Sequence, residues 1–245
     1  MFHRFHSRNI SVRSRRAGLA FLAMLLFSAG GIWGNTPAPD LEDRAAQLEQ
    51  TFREHGLVDA GSMSELIRVD LKYASTANFM GESVYGSLNR CWLAPEAARK
   101  LVLAAAILED RHPGYRLVVL DGARPRSVQR RMWNLVRNTP KQPYVANPAG
   151  VSMHNFGLAV DITIADETGA RLDMGTAPDY FGALAQPQLE ARFLREGKLN
   201  PAQVSNRHLL RGVMTGVGFI PLELEWWHFN AMDLKTARAL YPIIE

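Results

Sequence analysis

SMHNFGLAVDIT, residues 152–163, is the stretch that decides the fold, because its second half has the pattern of a strand with a charged residue inside it. Leu158, Val160 and Ile162 alternate with smaller or polar residues, which predicts a buried strand over 158–164. Asp161 stands in the middle of that strand. An ionised carboxylate in apolar surroundings is costly unless a partner neutralises it. Either a cation or a metal ion lies beside Asp161, or the prediction of a strand is wrong.

Two histidines near carboxylates supply the remaining ligands of such a site. His154 precedes the strand, and Gly157 permits a bend that brings it over the face of Asp161. The second motif is ELEWWHF, in which Glu225 and His228 are three residues apart and would point to opposite faces of a regular strand. We therefore expect Glu225 in a loop or bulge and His228 in the strand proper. Two imidazoles and one carboxylate leave a fourth metal position open for water, which a further carboxylate can deprotonate.

The other histidines and the single cysteine fit ordinary structural roles. His55 lies at a predicted helix end, His112 in a turn before a proline, and His208 within a helix between Arg207 and Leu209. Cys91 excludes an internal disulfide and a cysteine-rich zinc site, and is predicted to be a small buried hydrophobe.

The N-terminal segment explains the basic character of the chain. Of 28 basic and 24 acidic residues, the first 39 residues hold five arginines and no acids, which leaves 23 basic against 24 acidic residues in the remainder. This removes a basic face and a nucleic-acid partner from consideration. Residues 1–39 have the pattern of a bacterial signal peptide and short linker, which predicts export to the periplasm; an uncleaved membrane anchor is the alternative. Residues 40–245 form the predicted domain.

The pattern of elements favours an α+β fold: one domain with a central, mainly antiparallel sheet flanked by helices. An irregular region is expected to about residue 200, after a hairpin-like segment at 166–175. Helices are predicted at 41–55, 94–111, 127–137 and 202–217, and strands at 66–74, 115–121, 158–164 and around 225–229.

Two motifs resemble the signature of the zinc D-Ala-D-Ala peptidases. S-x-H-x-x-G-x-A-x-D is matched from Ser152 to Asp161, and E-x-W-H from Glu225 to His228. The segments VDLKYASTANFMGESVYG, VVLDGARPRSVQRRMW and DMGTAPDYF are similar to the dipeptidase branch of the family, in the expected order. The resemblance covers about residues 67–229.

The resemblance implies an enzyme with one Zn²⁺ ion per chain and a small peptide substrate. Asp179 is implied as the partner of the substrate's free ammonium, and Arg124 as the group that stabilises the oxyanion. In full, the implied site residues are His154, Asp161 and His228 as zinc ligands, Glu225 and Arg124 as catalytic residues, and Asp179, Tyr73 and Ser152 as substrate-binding residues.

The implied activity is hydrolysis of the D-alanyl-D-alanine dipeptide in cell-wall peptide metabolism. One alternative is a D,D-carboxypeptidase or L-Ala-D-Glu endopeptidase acting on longer peptidoglycan peptides, since HNFG after Ser152 is closer to the endopeptidase branch. The other is a non-catalytic cell-wall-binding protein that keeps a structural metal. Zinc follows from the resemblance, because the ligand types also suit other divalent ions. The sequence leaves the oligomeric state open.

Overall fold

The computed structural model describes residues 40–245, so the predicted signal peptide and linker at 1–39 lie outside the described residues. The described part is an α+β domain, as predicted. None of its helices combines the length and the apolar character needed to cross a membrane. The helices are α1 (Leu41–Glu54), α2 (Pro95–Arg111), α3 (Arg126–Val136), α4 (Glu190–Arg195), α5 (Pro201–Gly216) and α6 (Leu234–Leu240).

A five-stranded sheet forms the centre of the domain. The strands of residues 40–245 are β1 (Val58–Asp59), β2 (Ile67–Val69), β3 (Trp92–Leu93), β4 (Arg116–Asp121), β5 (Ala159–Ala165), β6 (Ile220–Pro221) and β7 (His228–Asn230). The order in the central sheet is β2-β4-β5-β7-β6, with β2 parallel to β4 and every other neighbouring pair antiparallel, which confirms the mainly antiparallel sheet. A separate antiparallel ribbon pairs β1 with β3.

The hydrophobic core includes the strand β5 and one face of the helix α2. Every residue of β5 is buried, which agrees with a strand in the middle of a sheet. The alanine-rich α2 begins with Pro95 at its first turn and buries a face of small and leucine side chains. It packs against β4 and α5.

Three predicted elements needed correction, and the last helix was missed. The strand predicted at 66–74 ends at Val69, and Lys72–Ala74 forms a 3₁₀ turn that buries Tyr73. The last strand begins at His228 rather than near Glu225, so Glu225 lies in the preceding loop, as its spacing from His228 required. The region expected to be irregular contains α4, and α6 was not predicted.

Candidate metal centre and active site

The register of the sheet brings three polar residues to one place. Asp161 in β5 pairs directly with His228 in β7. On its other side Asp161 faces Asp121, at the end of β4 after an irregularity in the ladder between Val119 and Asp121. Two carboxylates opposite each other on neighbouring strands repel, so a cation is needed between them.

His154 reaches the same place from a tight turn. It lies in a 3₁₀ turn, Met153–Phe156, which Ser152 caps with its side-chain oxygen and Asn155 closes by accepting from the Ser152 backbone N–H. Gly157 ends the turn at φ 66°, and a Cβ there would lie 3.0 Å from the Ala94 backbone nitrogen. The predicted bend at Gly157 is therefore confirmed, and both the left-handed backbone and the close approach disfavour a side chain there.

The three predicted ligand atoms form a compact, buried triangle. His228 Nδ1 lies 3.0 Å from Asp161 Oδ1 and 3.2 Å from His154 Nε2, and the third edge, from His154 Nε2 to Asp161 Oδ1, is 3.5 Å. Donors held tetrahedrally at zinc bond lengths of about 2.0–2.2 Å stand about 3.3–3.5 Å apart. The triangle therefore fits a zinc-sized ion, which these three residues would hold with a fourth position left for water.

Outer hydrogen bonds orient both imidazoles for metal binding. His154 Nδ1 lies 2.7 Å from the Gly122 carbonyl oxygen, and His228 Nε2 lies 2.8 Å from Asn230 Oδ1. Such partners fix the ring nitrogen that carries the proton and leave the other for the metal. Burial would raise the pKa of Asp161, but the charges and hydrogen bonds of His154 and His228 outweigh it and hold that pKa well below its usual range. Asp161 is thus an anionic donor.

Glu225 lies beside this triangle in the loop before β7. It is buried, and it lines the same cavity as the three predicted ligands. Burial, with the Asp161 and Asp179 charges added, raises the pKa of Glu225 to about 8, although His228 and Arg124 oppose the shift. A carboxyl group that titrates near neutral pH can accept a proton and return it.

Arg124 is a fixed guanidinium at the edge of the triangle. Its Nε and Nη2 donate to Asp121 Oδ2 at 2.9 and 2.5 Å, and its Nη1 donates to Gln129 Oε1 at 2.9 Å. Nη2 also lies 3.4 Å from Asp161 Oδ2. Arg124 is therefore the cation that separates Asp121 from Asp161.

Three residues that were not predicted from the sequence hold Arg124 in place: Asp121 and Gln129 directly, and Tyr85 through Asp121. Asp121 Oδ1 accepts hydrogen bonds from the Tyr85 hydroxyl at 2.8 Å and from the Gly122 N–H at 2.9 Å. Asp121 had a signal, since it stands three residues before Arg124 at a strand end. Gln129 is a buried polar residue on an amphipathic helix, and Tyr85 carried no signal in the sequence.

Asp179 and Tyr73 lie together at another part of the cavity wall. The Tyr73 hydroxyl is 3.1 Å from both carboxylate oxygens of Asp179, and Lys72 Nζ is 3.9 Å from Asp179 Oδ2. Asp179 has φ 63°, a left-handed conformation that aspartate and asparagine tolerate better than most residues. Burial and the Asp161 charge raise the pKa of Asp179 to about 6.

One cavity of about 280 Å³ is lined by all eight predicted site residues. Its volume is at the low end of the range for small-molecule sites, about 300–1,000 Å³. Phe79, Tyr144 and Phe181 form an aromatic wall, with ring centroids 4.9 Å apart for Phe79 and Phe181 and 5.6 Å apart for Tyr144 and Phe181. The cavity suits a small ligand with both charged and apolar groups.

The other three histidines of residues 40–245, and the cysteine, do not line this cavity. His55 bonds the Thr51 carbonyl at the end of α1, His112 stacks on Tyr115, and His208 contacts Glu190 with a largely exposed ring. Cys91 is buried and unpaired, and burial raises the pKa of its thiol.

A three-donor metal site with one position free for water is the arrangement of metal-dependent hydrolases. The family comparison narrows this class: the family model described as D-ala-D-ala dipeptidase matches residues 53–243. The chain belongs to that family of metallopeptidases.

Curated relatives agree with this membership. The chain is 34% identical over 188 residues to a D-alanyl-D-alanine dipeptidase of Escherichia coli K12, covering 77% of this chain and 89% of the relative. It is 28% identical over 197 residues to a D-alanyl-D-alanine dipeptidase of Enterococcus faecalis, covering 74% and 93%. A Streptomyces coelicolor protein of the same description is 31% identical, with 68% and 87% covered.

Proposed function

We propose that this protein hydrolyses the D-alanyl-D-alanine dipeptide and uses one zinc ion per chain. The observation that carries the proposal is the position of the Tyr73–Asp179 pair in the same small cavity as the metal donors. A dipeptide brings its free ammonium close to the scissile bond, and a buried carboxylate is the group that would neutralise it. The descriptions of the relatives support the same substrate.

In this proposal His154, Asp161 and His228 hold the zinc ion. When bound, zinc polarises the scissile carbonyl and lowers the pKa of water to about 7. Glu225 is not one of the three donors, so its carboxylate is free to take the proton of the attacking water. The same carboxyl then returns that proton to the nitrogen of the leaving amine, for which a pKa raised by burial is suited.

Arg124 stabilises the oxyanion that develops when the carbonyl is attacked. Its guanidinium is held by Asp121 and Gln129 before substrate arrives, so little reorganisation is required during the reaction. Arg124 and the two residues that hold it are buried, which strengthens the interaction of the guanidinium with the developing charge.

Asp179 and Tyr73 bind the substrate at its amino end. The Asp179 carboxylate receives the ammonium, and the Tyr73 hydroxyl keeps both carboxylate oxygens oriented. We assign Ser152 to the substrate contacts as well, since it lines the cavity while its oxygen caps the turn that carries His154.

The alternative substrates would use the cavity differently. A D,D-carboxypeptidase or an L-Ala-D-Glu endopeptidase acts on longer peptides, which present a neutral amide where the dipeptide has its ammonium. Such an amide would gain nothing from Asp179, so the buried carboxylate favours the dipeptide. A protein with a purely structural metal needs no base, and Glu225 argues against that alternative.

The test compares three substrates under metal control. The purified protein is incubated with D-Ala-D-Ala, a pentapeptide ending in D-Ala-D-Ala, and L-Ala-D-Glu, each with and without chelator and with zinc added back. We expect release of D-alanine from the dipeptide, loss with chelator and recovery with zinc. Preferential cleavage of the pentapeptide or of L-Ala-D-Glu would overturn the dipeptidase proposal. If none of the three substrates is hydrolysed, the result would favour a non-catalytic cell-wall-binding protein.

We also propose that the protein is exported and acts in the periplasm on products of peptidoglycan metabolism. The support is the pattern of residues 1–39, with its arginines before an apolar run. Fractionation of cells, with N-terminal sequencing of the mature protein, tests it: an intact N-terminus on a cytoplasmic protein contradicts export, and an intact N-terminus on a membrane-bound one indicates the anchor.

A further inference from the structure

Arg207 is among the most deeply buried side chains of residues 40–245, although it does not line the cavity. It projects from α5, and its guanidinium bonds two backbone carbonyl oxygens. Nε donates to the Met174 oxygen at 2.7 Å, and Nη2 donates to the Leu184 oxygen at 3.1 Å. Burying a guanidinium is costly unless its donors are used, so these two bonds require an explanation.

The two carbonyls stand at equal distances along the chain from Asp179. Met174 is five residues before it and Leu184 five residues after it. The segment Met174–Leu184, the Asp179 loop, has no strand or α-helix to fix its shape. Asp179 itself keeps a left-handed backbone at φ 63°, a conformation that a residue other than glycine keeps only where its surroundings impose it.

Arg207 also contacts the residue that follows Glu225. Its guanidinium carbon lies 5.8 Å from the centre of the Trp226 ring. Trp226 in turn bonds the Asp179 loop, because its Nε1 donates to Thr176 Oγ1 at 2.8 Å. Its backbone N–H donates to the carbonyl of Ala185, the residue that follows the loop, at 3.1 Å. One guanidinium thus joins the loop that carries Asp179 to the loop that carries Glu225.

The ion pair of Arg207 does not account for its burial. Arg207 Nη1 has no hydrogen-bond partner and lies 3.6 Å from Glu190 Oε1. Glu190 is already bonded by Arg211 Nη2 at 2.6 Å and contacted by His208 Nε2 at 3.2 Å. An arginine present to neutralise Glu190 would bond it as Arg211 does, whereas Arg207 is oriented by the two carbonyls.

We propose that Arg207 is a positioning residue that sets Asp179 against Glu225, and so gives the enzyme its preference for a substrate with a free ammonium. The inference rests on the proposed dipeptidase function. Arg207 acts through Asp179 and Trp226 and does not touch the substrate. Lysine at this position would keep the charge but could reach only one of the two carbonyls, since it lacks the forked donor geometry of arginine.

The experiment compares Arg207→Met, Arg207→Lys and the matched control Arg211→Met in the full chain. Arg211 lies on the same helix and bonds the same Glu190, but touches neither the Asp179 loop nor Trp226. KM and kcat are measured for D-Ala-D-Ala and for its N-acetylated form, together with zinc content. Where the acetylated peptide turns over too slowly, its inhibition constant against the free dipeptide supplies the comparison.

We expect Arg207→Met to raise KM for the free dipeptide and to lower kcat/KM by about 10–100-fold, the range for a group misplaced by about 1 Å. The acetylated peptide should be affected far less, Arg207→Lys should be intermediate, and Arg211→Met should resemble wild type. In an Asp179→Asn background, Arg207→Met should cause no further loss of discrimination.

Equal losses on both substrates in a folded, zinc-loaded Arg207 variant would overturn the inference, as would wild-type discrimination. If Arg207→Met does not fold, the same comparison on Arg207→Lys decides. Absence of D-Ala-D-Ala hydrolysis by the wild-type protein is a separate result, since it would refute the proposed function itself.

Discussion

Asp179→Asn should make the protein more stable at pH 8 while it impairs the proposed activity. Asparagine has nearly the same shape as aspartate and tolerates the left-handed backbone at φ 63°. Its side-chain oxygen can still accept from the Tyr73 hydroxyl. The substitution therefore changes the charge of this buried position and little else.

The magnitude follows from the pKa of Asp179, which burial raises to about 6 from an ordinary value of 3.8. At about 1.4 kcal/mol for each tenfold change, keeping this carboxylate ionised costs about 3 kcal/mol above pH 6. Bound zinc offsets the Asp161 charge, which is one cause of the shift, so we expect about 1–3 kcal/mol in the loaded protein.

The sign depends on pH in a defined way. A carboxyl with a raised folded-state pKa contributes stability below its unfolded pKa and loses that contribution as the pH rises through the folded value. Asp179→Asn should therefore exceed wild type in free energy of unfolding at pH 8. The difference should shrink through pH 6 and vanish below about pH 4, where both side chains are neutral.

Urea unfolding at pH 8, 6 and 4, at constant total zinc, measures this difference. Asp233→Asn is a suitable control, because hydrogen bonds at the start of α6 lower the pKa of Asp233 and its replacement should give no gain at pH 8. A wild-type protein as stable as Asp179→Asn at pH 8 would refute the reasoning that the carboxylate is held at an energetic cost.

The same variant tests the role of that cost in substrate binding. Asp179→Asn should lower kcat/KM for D-Ala-D-Ala, with a loss of transition-state stabilisation of about 2–4 kcal/mol. This is the range for leaving one member of a buried charge pair without its partner. Activity on the N-acetylated dipeptide should change far less. Equal losses on both would show that Asp179 supports the fold or the metal site, and would move the longer-peptide activities ahead.

Three further sets of substitutions test the proposed metal ligands, the base and the turn before β5. Replacement of His154, Asp161 or His228 by alanine should lower bound zinc and abolish hydrolysis, whereas His208→Ala should do neither. Stoichiometric zinc in any one of the first three variants would show that the replaced residue is not a ligand. Glu225→Gln should keep its zinc while kcat falls by about 10²–10⁴-fold, typical of a lost general base, and metal loss would instead make Glu225 a ligand. Gly157→Ala should lower the urea midpoint more than Gly197→Ala, because both have φ 66° but only Gly157 lies against backbone; equal effects would remove the close approach as a cause.

The parts of the fold that the sequence predicted are those in which local pattern and burial agree. β5 alternates in sequence and is buried along its whole length, and α2 has a proline at its start and one apolar face. The segment at 66–74 also alternates, yet its strand ends at Val69 because Tyr73 turns inward to reach Asp179. That contact spans more than a hundred residues of chain, so no local pattern reports it.

The difference between local pattern and long-range contact also separates the site residues that were predicted from those that were missed. His154, Gly157 and Asp161 lie within one short stretch, where spacing constrains geometry directly. Tyr85 and Arg207 act across long separations on residues that are themselves ordinary in sequence. A buried tyrosine or arginine is visible as a partner only once the chain is folded.

The pairing register of the sheet brings the proposed metal ligands and the proposed oxyanion group into one structure. Asp161 faces His228 on one side and Asp121 on the other, so a single strand position orders a metal donor and the residue that holds Arg124. A slip of one residue between β5 and β7 would turn His228 to the opposite face, and the donor triangle would be lost. The same slip between β4 and β5 would turn Asp161 away from Asp121 and from Arg124, which would stay paired with Asp121. The apolar alternation of β5 specifies the register, and in doing so it specifies the chemistry.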